Sequence, residues 1–270
     1  MGVYLRRYHQ DKPPIGSTVN WGHPLAQGLV GCWLMNEGCG NRVLDISNYR
    51  NNGIATTGTG GWKNTLKGKA YRFDGTNTVI NCGSANILDN ITPFSIEFMV
   101  YRTNNNSNFI QKASGYGSSG WSVSVLSSNA FNFNVAGGTN LSYSTGFSLA
   151  ASTWYHLAVS WNGIIGSSAD VNLYINRTEG AYTLADNGSG NRSTDAAQNL
   201  NIGGVSYRFA GDIAYVRLWR RMLMPAEISS LYEAPYQFIQ TPRRIFYSLP
   251  AGAVSVPNPR RSMTGVNRIK

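Results

Sequence analysis

With 270 residues the chain has room for one large sandwich core plus extensions, and 12% aromatic content, 13% charged content and 30 glycines suit short strands joined by tight turns. No apolar run approaches the length of a transmembrane helix, so no membrane partner is expected. The net charge of +10 is concentrated at the ends, +2 in residues 1–25 and +6 in residues 235–270, which leaves +2 for the 209 residues between them. Basic ends of this kind suit an acidic protein surface. They lack the aromatic interleaving of a base-stacking platform, so nucleic acid is not an expected partner.

The start, MGVYLRRYHQ, contains no apolar stretch of secretory length, and Arg6 stands where a myristoylation motif needs Ser or Thr. Residues 1–27, with Pro13, Pro14 and Pro24 and little periodicity, are expected as an extended arm. From Leu29 short apolar runs alternate with turn residues: Leu29–Met35, Ala70–Gly75 and Thr78–Cys82 read as strands. Pro93–Tyr101 alternates Ile96, Phe98 and Val100 with Ser95, Glu97 and Met99, the period of a half-buried strand. Further strands are predicted over Asn108–Ala113, Trp121–Leu126, Ala130–Ala136, Trp154–Trp161, Val171–Asn176, Leu200–Gly204 and Gly211–Arg220. Only Pro225-Ala226-Glu227, leading into Ile228 and Leu231, carries a good helix start, with Pro in the first turn and an acid facing the helix dipole. After residue 233 prolines separate basic pairs, and residues 234–270 read as a second arm. Cys32, Cys39 and Cys82 cannot all pair within one chain and are expected as thiols, with a Cys32–Cys39 bridge as the alternative.

Six segments in order carry a family resemblance: Gly28–Thr56, AYRFDGTNTVINCG (Ala70–Gly83), PFSIEFMVY (Pro93–Tyr101), TWYHLAVSWNG (Thr153–Gly163), DVNLYINRTEG (Asp170–Gly180) and Leu200–Tyr232. Together they resemble the laminin G-like, concanavalin A-like lectin/glucanase (pentraxin-like) domains. The resemblance implies an all-β, two-sheet antiparallel jelly-roll sandwich over residues 28–233, with one short C-terminal helix.

Glucanases of this fold use closely spaced acids on one strand, and a retaining glycosidase needs two carboxyls about 5 Å apart. None of the 13 acids here lies two or four residues from another. Glu97 is expected to face outward and His156 to be a structural, hydrogen-bonded residue. No catalytic residue and no cofactor are expected. The family's calcium sites draw oxygens from rim loops, which makes Asp45 the best ligand should calcium bind. The acidic pair that the family often has in its last strand is replaced by Ala214 and Tyr215. A glycan would need aromatic platforms beside amides and hydroxyls, and Trp62, Tyr116, Trp121 and Tyr143 are the candidates.

The tail PYQFIQTPRRIFYSLP resembles segments of bacteriophage structural proteins. The leading expectation is therefore a non-catalytic virion protein, a capsid decoration or fibre-associated subunit of a symmetric assembly, made in the host cytoplasm. Tyr4, Arg6, Arg7, Arg243, Arg244, Phe246 and Tyr247 would anchor it to other virion proteins, while the sandwich meets host or environmental glycans. The alternatives are a free carbohydrate-binding lectin module and a degenerate glucanase-like enzyme.

Overall fold

A computed structural model describes residues 11–56, 58–114 and 119–242. The first part of the chain supplies β1 (Thr18–Val19), β2 (Leu29–Trp33), β3 (Arg42–Val43), β4 (Gly53–Ala55), β5 (Gly61–Thr65), β6 (Gly68–Asp74) and β7 (Ile80–Asn81). The middle supplies β8 (Phe94–Arg102), β9 (Ser107–Lys112), β10 (Trp121–Val125), β11 (Ala130–Val135), β12 (Leu141–Ser148) and β13 (Trp154–Trp161). Then follow β14 (Val171–Ile175), β15 (Thr178–Glu179), β16 (Tyr182–Asp186), β17 (Asn201–Ile202), β18 (Ala210–Trp219), the helix α1 (Pro225–Glu233) and β19 (Ile239–Gln240).

These strands make a two-sheet antiparallel sandwich. One sheet runs β16-β12-β11-β10-β9-β17-β7-β4-β3, the other β15-β14-β13-β8-β18-β6-β5 with β2 also paired to β18. Between them lies a core of alternating side chains, including Ile96, Phe98 and Val100 of β8, Leu157, Val159 and Trp161 of β13, and Phe131 and Phe133 of β11. Phe94 packs at 5.0 Å from Trp121 and edge-on to Trp161 at 5.5 Å, locking the two sheets together at one end.

The opposite face of β8, β13 and β18 is also buried. A second apolar cluster joins Met99, Ala158, Ala214, Tyr215 and Trp219 of these strands to Ile228 and Leu231 of α1, to Leu25 and Ala26, and to Tyr236, Phe238 and Ile239. The short helix is held by Glu227, which accepts the Met224 N–H at 2.9 Å and pairs with Arg221. The small β1–β19 sheet, with Val19 opposite Ile239, ties the two chain ends together over this layer. Residues 18–26 and 234–240, expected as parts of extended arms, thus pack as the third layer of the domain. Their sparse apolar residues show no strand or helix period because each is used singly, as a plug in a covering segment.

Cross-strand register explains the polar residues trapped beneath that layer. Arg217 lies directly opposite Glu97, with Tyr215 opposite Met99 and His156 opposite Met99 on the other side. Glu97, His156, Tyr215 and Arg217 therefore share the outer face at neighbouring positions. The outward placement expected for Glu97 is correct for the sheet but not for solvent, since Glu97 is fully buried.

Candidate functional site

The buried glutamate cannot act as a glycosidase carboxyl. Its Oε2 pairs with the Arg217 guanidinium at 3.0 Å, and Oε1 meets His156 Nε2 and the Tyr215 hydroxyl, each at 2.9 Å. Burial alone would push the Glu97 carboxyl up, but Arg217, then His156 and Tyr215, outweigh it and hold it below the usual carboxylate range. Arg217 is enclosed by the rings of Tyr215 at 4.3 Å, Phe238 at 5.1 Å and Tyr236 at 5.5 Å. This constellation locks the third layer to the sheet.

The aromatic candidates fare differently from one another. Trp121 is 1% exposed and belongs to the inter-sheet core. Tyr143 is 8% exposed, packs edge-on against Tyr182 at 5.4 Å and donates its hydroxyl to Asn187. Neither offers a face to a ligand, which corrects both assignments. The reason is register: β10 and β12 turn these rings inward, a direction that polar neighbours such as Ser122 and Ser142 did not reveal. Trp62 is half-buried, donates Nε1–H to the Gly40 carbonyl at 2.8 Å and packs on Tyr71, so it fastens the β5–β6 hairpin. Tyr116, like Tyr4, Arg6, Arg7, Arg243, Arg244, Phe246 and Tyr247, lies outside the described residues.

Asp45 is not free to hold calcium. Its Oδ1 accepts the N–H groups of Cys32 at 2.8 Å and Ser47 at 2.9 Å, while Oδ2 accepts the Asn51 N–H at 2.9 Å and the Ser47 hydroxyl at 2.8 Å. Asp74 likewise accepts the N–H groups of Thr76, Asn77 and Thr78. These rim carboxylates organise turns instead of a cation. Elsewhere, a cage of oxygens is filled by the chain's own cation: Lys112 Nζ lies 2.9 Å from Asp89 Oδ1, 2.8 Å from the Asp195 carbonyl and 3.2 Å from Ser84 Oγ. Among the described residues no group of three His, Cys, Asp or Glu side chains is placed to share a metal. Melting in excess calcium and in excess chelator is accordingly expected to give the same Tm; a rise of several degrees with calcium would mean that the protein binds the ion elsewhere.

What Asp45 organises is one wall of a cleft of about 660 Å³, within the roughly 300–1,000 Å³ range of small-ligand sites. Its lining includes Trp21, His23, Gln27, Asn48, Tyr49 and Arg220. Trp21 is 43% and Tyr49 49% exposed, so both rings keep much of their surface open to a ligand. Tyr49 sits in the loop clamped by Asp45, and its N–H donates to Ser47 Oγ at 3.2 Å.

Trp21 sits on a turn that is equally constrained. The Asn20 N–H donates to the Phe238 carbonyl at 2.8 Å, the Asn20 side chain accepts the Gly22 N–H, and its carbonyl accepts the His23 N–H at 3.0 Å. A short 3₁₀ helix, Pro24–Ala26, follows; its Leu25 carbonyl accepts the Trp219 indole N–H at 2.7 Å. Gly28 lines the cleft next to Gln27 with φ +77°, a conformation that glycine adopts without strain. Among the described residues no carboxylate lines the cleft, whereas glycoside hydrolysis uses a pair of them.

Sequence reasoning missed both rings, although a signal exists. Trp21 in NWGHP and Tyr49 in SNYRNNG are large aromatics embedded in turn-forming residues, where no strand alternation could carry them into a core.

The comparisons with known proteins agree with this architecture. A family profile described as the concanavalin A-like lectin/glucanases superfamily matches residues 74–229. No curated protein matches the chain. Among solved structures, the binding domain of Paraclostridial Mosquitocidal Protein 1 superposes with a TM-score of 0.58 at 15% identity, covering 76% of this chain and 52% of that one. Domain 4 of an extracellular arabinanase from Geobacillus stearothermophilus, in complex with arabinotriose, gives 0.53 at 18% identity, covering 76% and 98%. The binding domain of botulinum neurotoxin DC in complex with SialylT gives 0.54 at 15% identity, covering 76% and 51%. The chain thus spans about half the length of the toxin domains and nearly all of the arabinanase domain. These similar structures are toxin binding domains and one domain of an arabinanase, and they lend no support to a virion role. At such identities the likeness shows the fold alone, and with the profile match over more than half of its length the chain belongs to the concanavalin A-like lectin/glucanases superfamily.

Proposed function

We propose that the protein is a non-catalytic carbohydrate-binding module whose ligand site is the Trp21–Tyr49 cleft. The observation that carries this reading is the pair of exposed rings on two rigid loops, lining one cavity with the side chains of Asn48, Gln27 and His23. Sugar rings present axial C–H groups that stack on aromatic faces and equatorial hydroxyls that pair with amides, and the cleft supplies both partners. Loops already fixed by internal hydrogen bonds lose little entropy on binding. Further support comes from two similar structures, one in complex with arabinotriose and the other with SialylT.

Glycan-array screening of the protein, followed by calorimetry on the best binder, tests the proposal. Trp21→Ala is expected to weaken binding at least about tenfold, the equivalent of one lost stacking contact of about 1.4 kcal/mol. Because Trp21 is half exposed, the variant's Tm should stay close to that of the parent. Glycan binding that survives both Trp21→Ala and Tyr49→Ala would move the site elsewhere.

A further inference from the structure

Resting on that reading, we infer that the cleft selects a sugar bearing a carboxylate and that Arg220 is its counter-ion. Among the described residues, Arg220 and His23 are the only ionisable side chains in the lining besides the Tyr49 phenol, and no acid accompanies them. The two arginines at the end of β18 have divergent fates. Arg221 is consumed, donating to both carboxylate oxygens of Glu227 at 2.7 and 2.8 Å and to the Gln27 carbonyl at 2.8 Å. Arg220 is exposed, and its guanidinium makes none of the ion pairs or side-chain hydrogen bonds found among the described residues.

Its backbone is nonetheless fixed: the Arg220 N–H donates to the Gly28 carbonyl at 2.7 Å, which seats the residue beside the cleft floor. A cation anchored at its base but unpaired at its tip, in a cleft free of acids, is poised for an anionic ligand. The guanidinium presents parallel N–H donors at the spacing of carboxylate oxygens, a match that a neutral hydroxyl cannot use. His23 adds a second donor. Its Nδ1 accepts the Leu25 N–H at 3.2 Å, which leaves the neutral ring's proton on Nε2.

The test uses paired probes that differ only in the carboxylate: a uronic-acid oligosaccharide against its carboxyl-reduced form, and sialyllactose against lactose. Titrations of the full chain, Arg220→Gln, Arg220→Lys and Trp21→Ala, are compared at low and moderate salt. The expected result is that at least one carboxylated probe binds about tenfold tighter than its neutral partner, with the preference shrinking as salt rises. Which pair shows the preference tells a uronate chain from a sialyl cap. Arg220→Gln should abolish the preference, so that the two probes of a pair bind alike, Arg220→Lys should restore part of it, and Trp21→Ala should weaken both probes of a pair by the same factor. Equal binding of carboxylated and neutral probes, or a preference unchanged in Arg220→Gln, overturns the role of Arg220 and leaves the carbohydrate-binding reading standing. No binding of any probe overturns both.

Discussion

Arg217→Ala is expected to destabilise the protein by about 3–5 kcal/mol, because removing one partner of a buried ion pair leaves the other charge without compensation. Urea denaturation should show this as a lower midpoint, and melting as a fall in Tm of about 10 °C. The magnitude follows from what surrounds the guanidinium. Glu97 is its cross-strand neighbour, Tyr215, Tyr236 and Phe238 enclose it, and its Nη2 donates to the Pro235 carbonyl. Deleting the side chain would therefore strand a fully buried carboxylate and unseat the 234–240 segment from the sheet.

A double variant separates the two contributions. Glu97→Leu combined with Arg217→Met removes both charges together, and should recover a good part of the loss because apolar pairs of similar volume tolerate this position in a buried layer. Loss equal to that of Arg217→Ala alone would assign the effect to the aromatic enclosure instead of the charge.

The same pair makes the fold sensitive to acid. The Glu97 carboxyl is held below its unfolded value of about 4.3. A depressed folded-state carboxyl contributes stability that is fully present above the unfolded value and is lost as pH falls through the folded one. Stability from Glu97 should thus be constant from neutral pH down to about 5 and then decline toward stronger acid. A Glu97→Gln variant, though less stable throughout, should show a shallower decline over that interval.

The sandwich was legible in the sequence where burial is two-sided or strictly alternating. The alternation in β8 and the aromatic density of β13 and β18 are direct imprints of central strands covered on both faces. Strands β5, β12 and β16 escaped because they lie at or near sheet edges and interrupt their few apolar residues with polar ones and glycine. The covering layer was illegible for a different reason. Val19, Leu25, Phe238 and Ile239 make long-range contacts to the sheet that no local period encodes. Site residues followed the same division. Trp121 and Tyr143 lie in strands, where a ring points inward or outward by a one-residue register that composition does not reveal. Trp21 and Tyr49 stand in turns, and their exposure follows from that placement alone.

Asp45→Ala should damage stability and binding together, because one carboxylate holds the loop that presents half of the cleft. Its loss strands the N–H groups of Cys32, Ser47 and Asn51 and leaves the Ser47 hydroxyl only the Val30 carbonyl at 3.3 Å. Unpaired buried donors cost about 1–3 kcal/mol each, and partial hydration at the loop's outer side should bring the sum to about 3 kcal/mol. A second effect reaches the ligand through geometry. Tyr49 and Asn48 follow Ser47 directly, and without the clamp they must be ordered by the ligand itself, so affinity should fall several-fold more than the population of unfolded protein explains. Asp45→Asn is the sharper comparison: it preserves volume, but its amide N–H₂ must confront two of the four donors, so an intermediate loss in both readouts is expected. Were Asp45→Ala to lower the Tm while the affinity of the folded fraction stayed at the parent's value, the loop would be ordered without its carboxylate clamp, and rigidity of the Tyr49 wall would come from its other bonds, among them the Ile46 N–H to the Cys32 carbonyl at 2.9 Å and the Trp33 indole N–H to the Asn51 carbonyl at 2.8 Å.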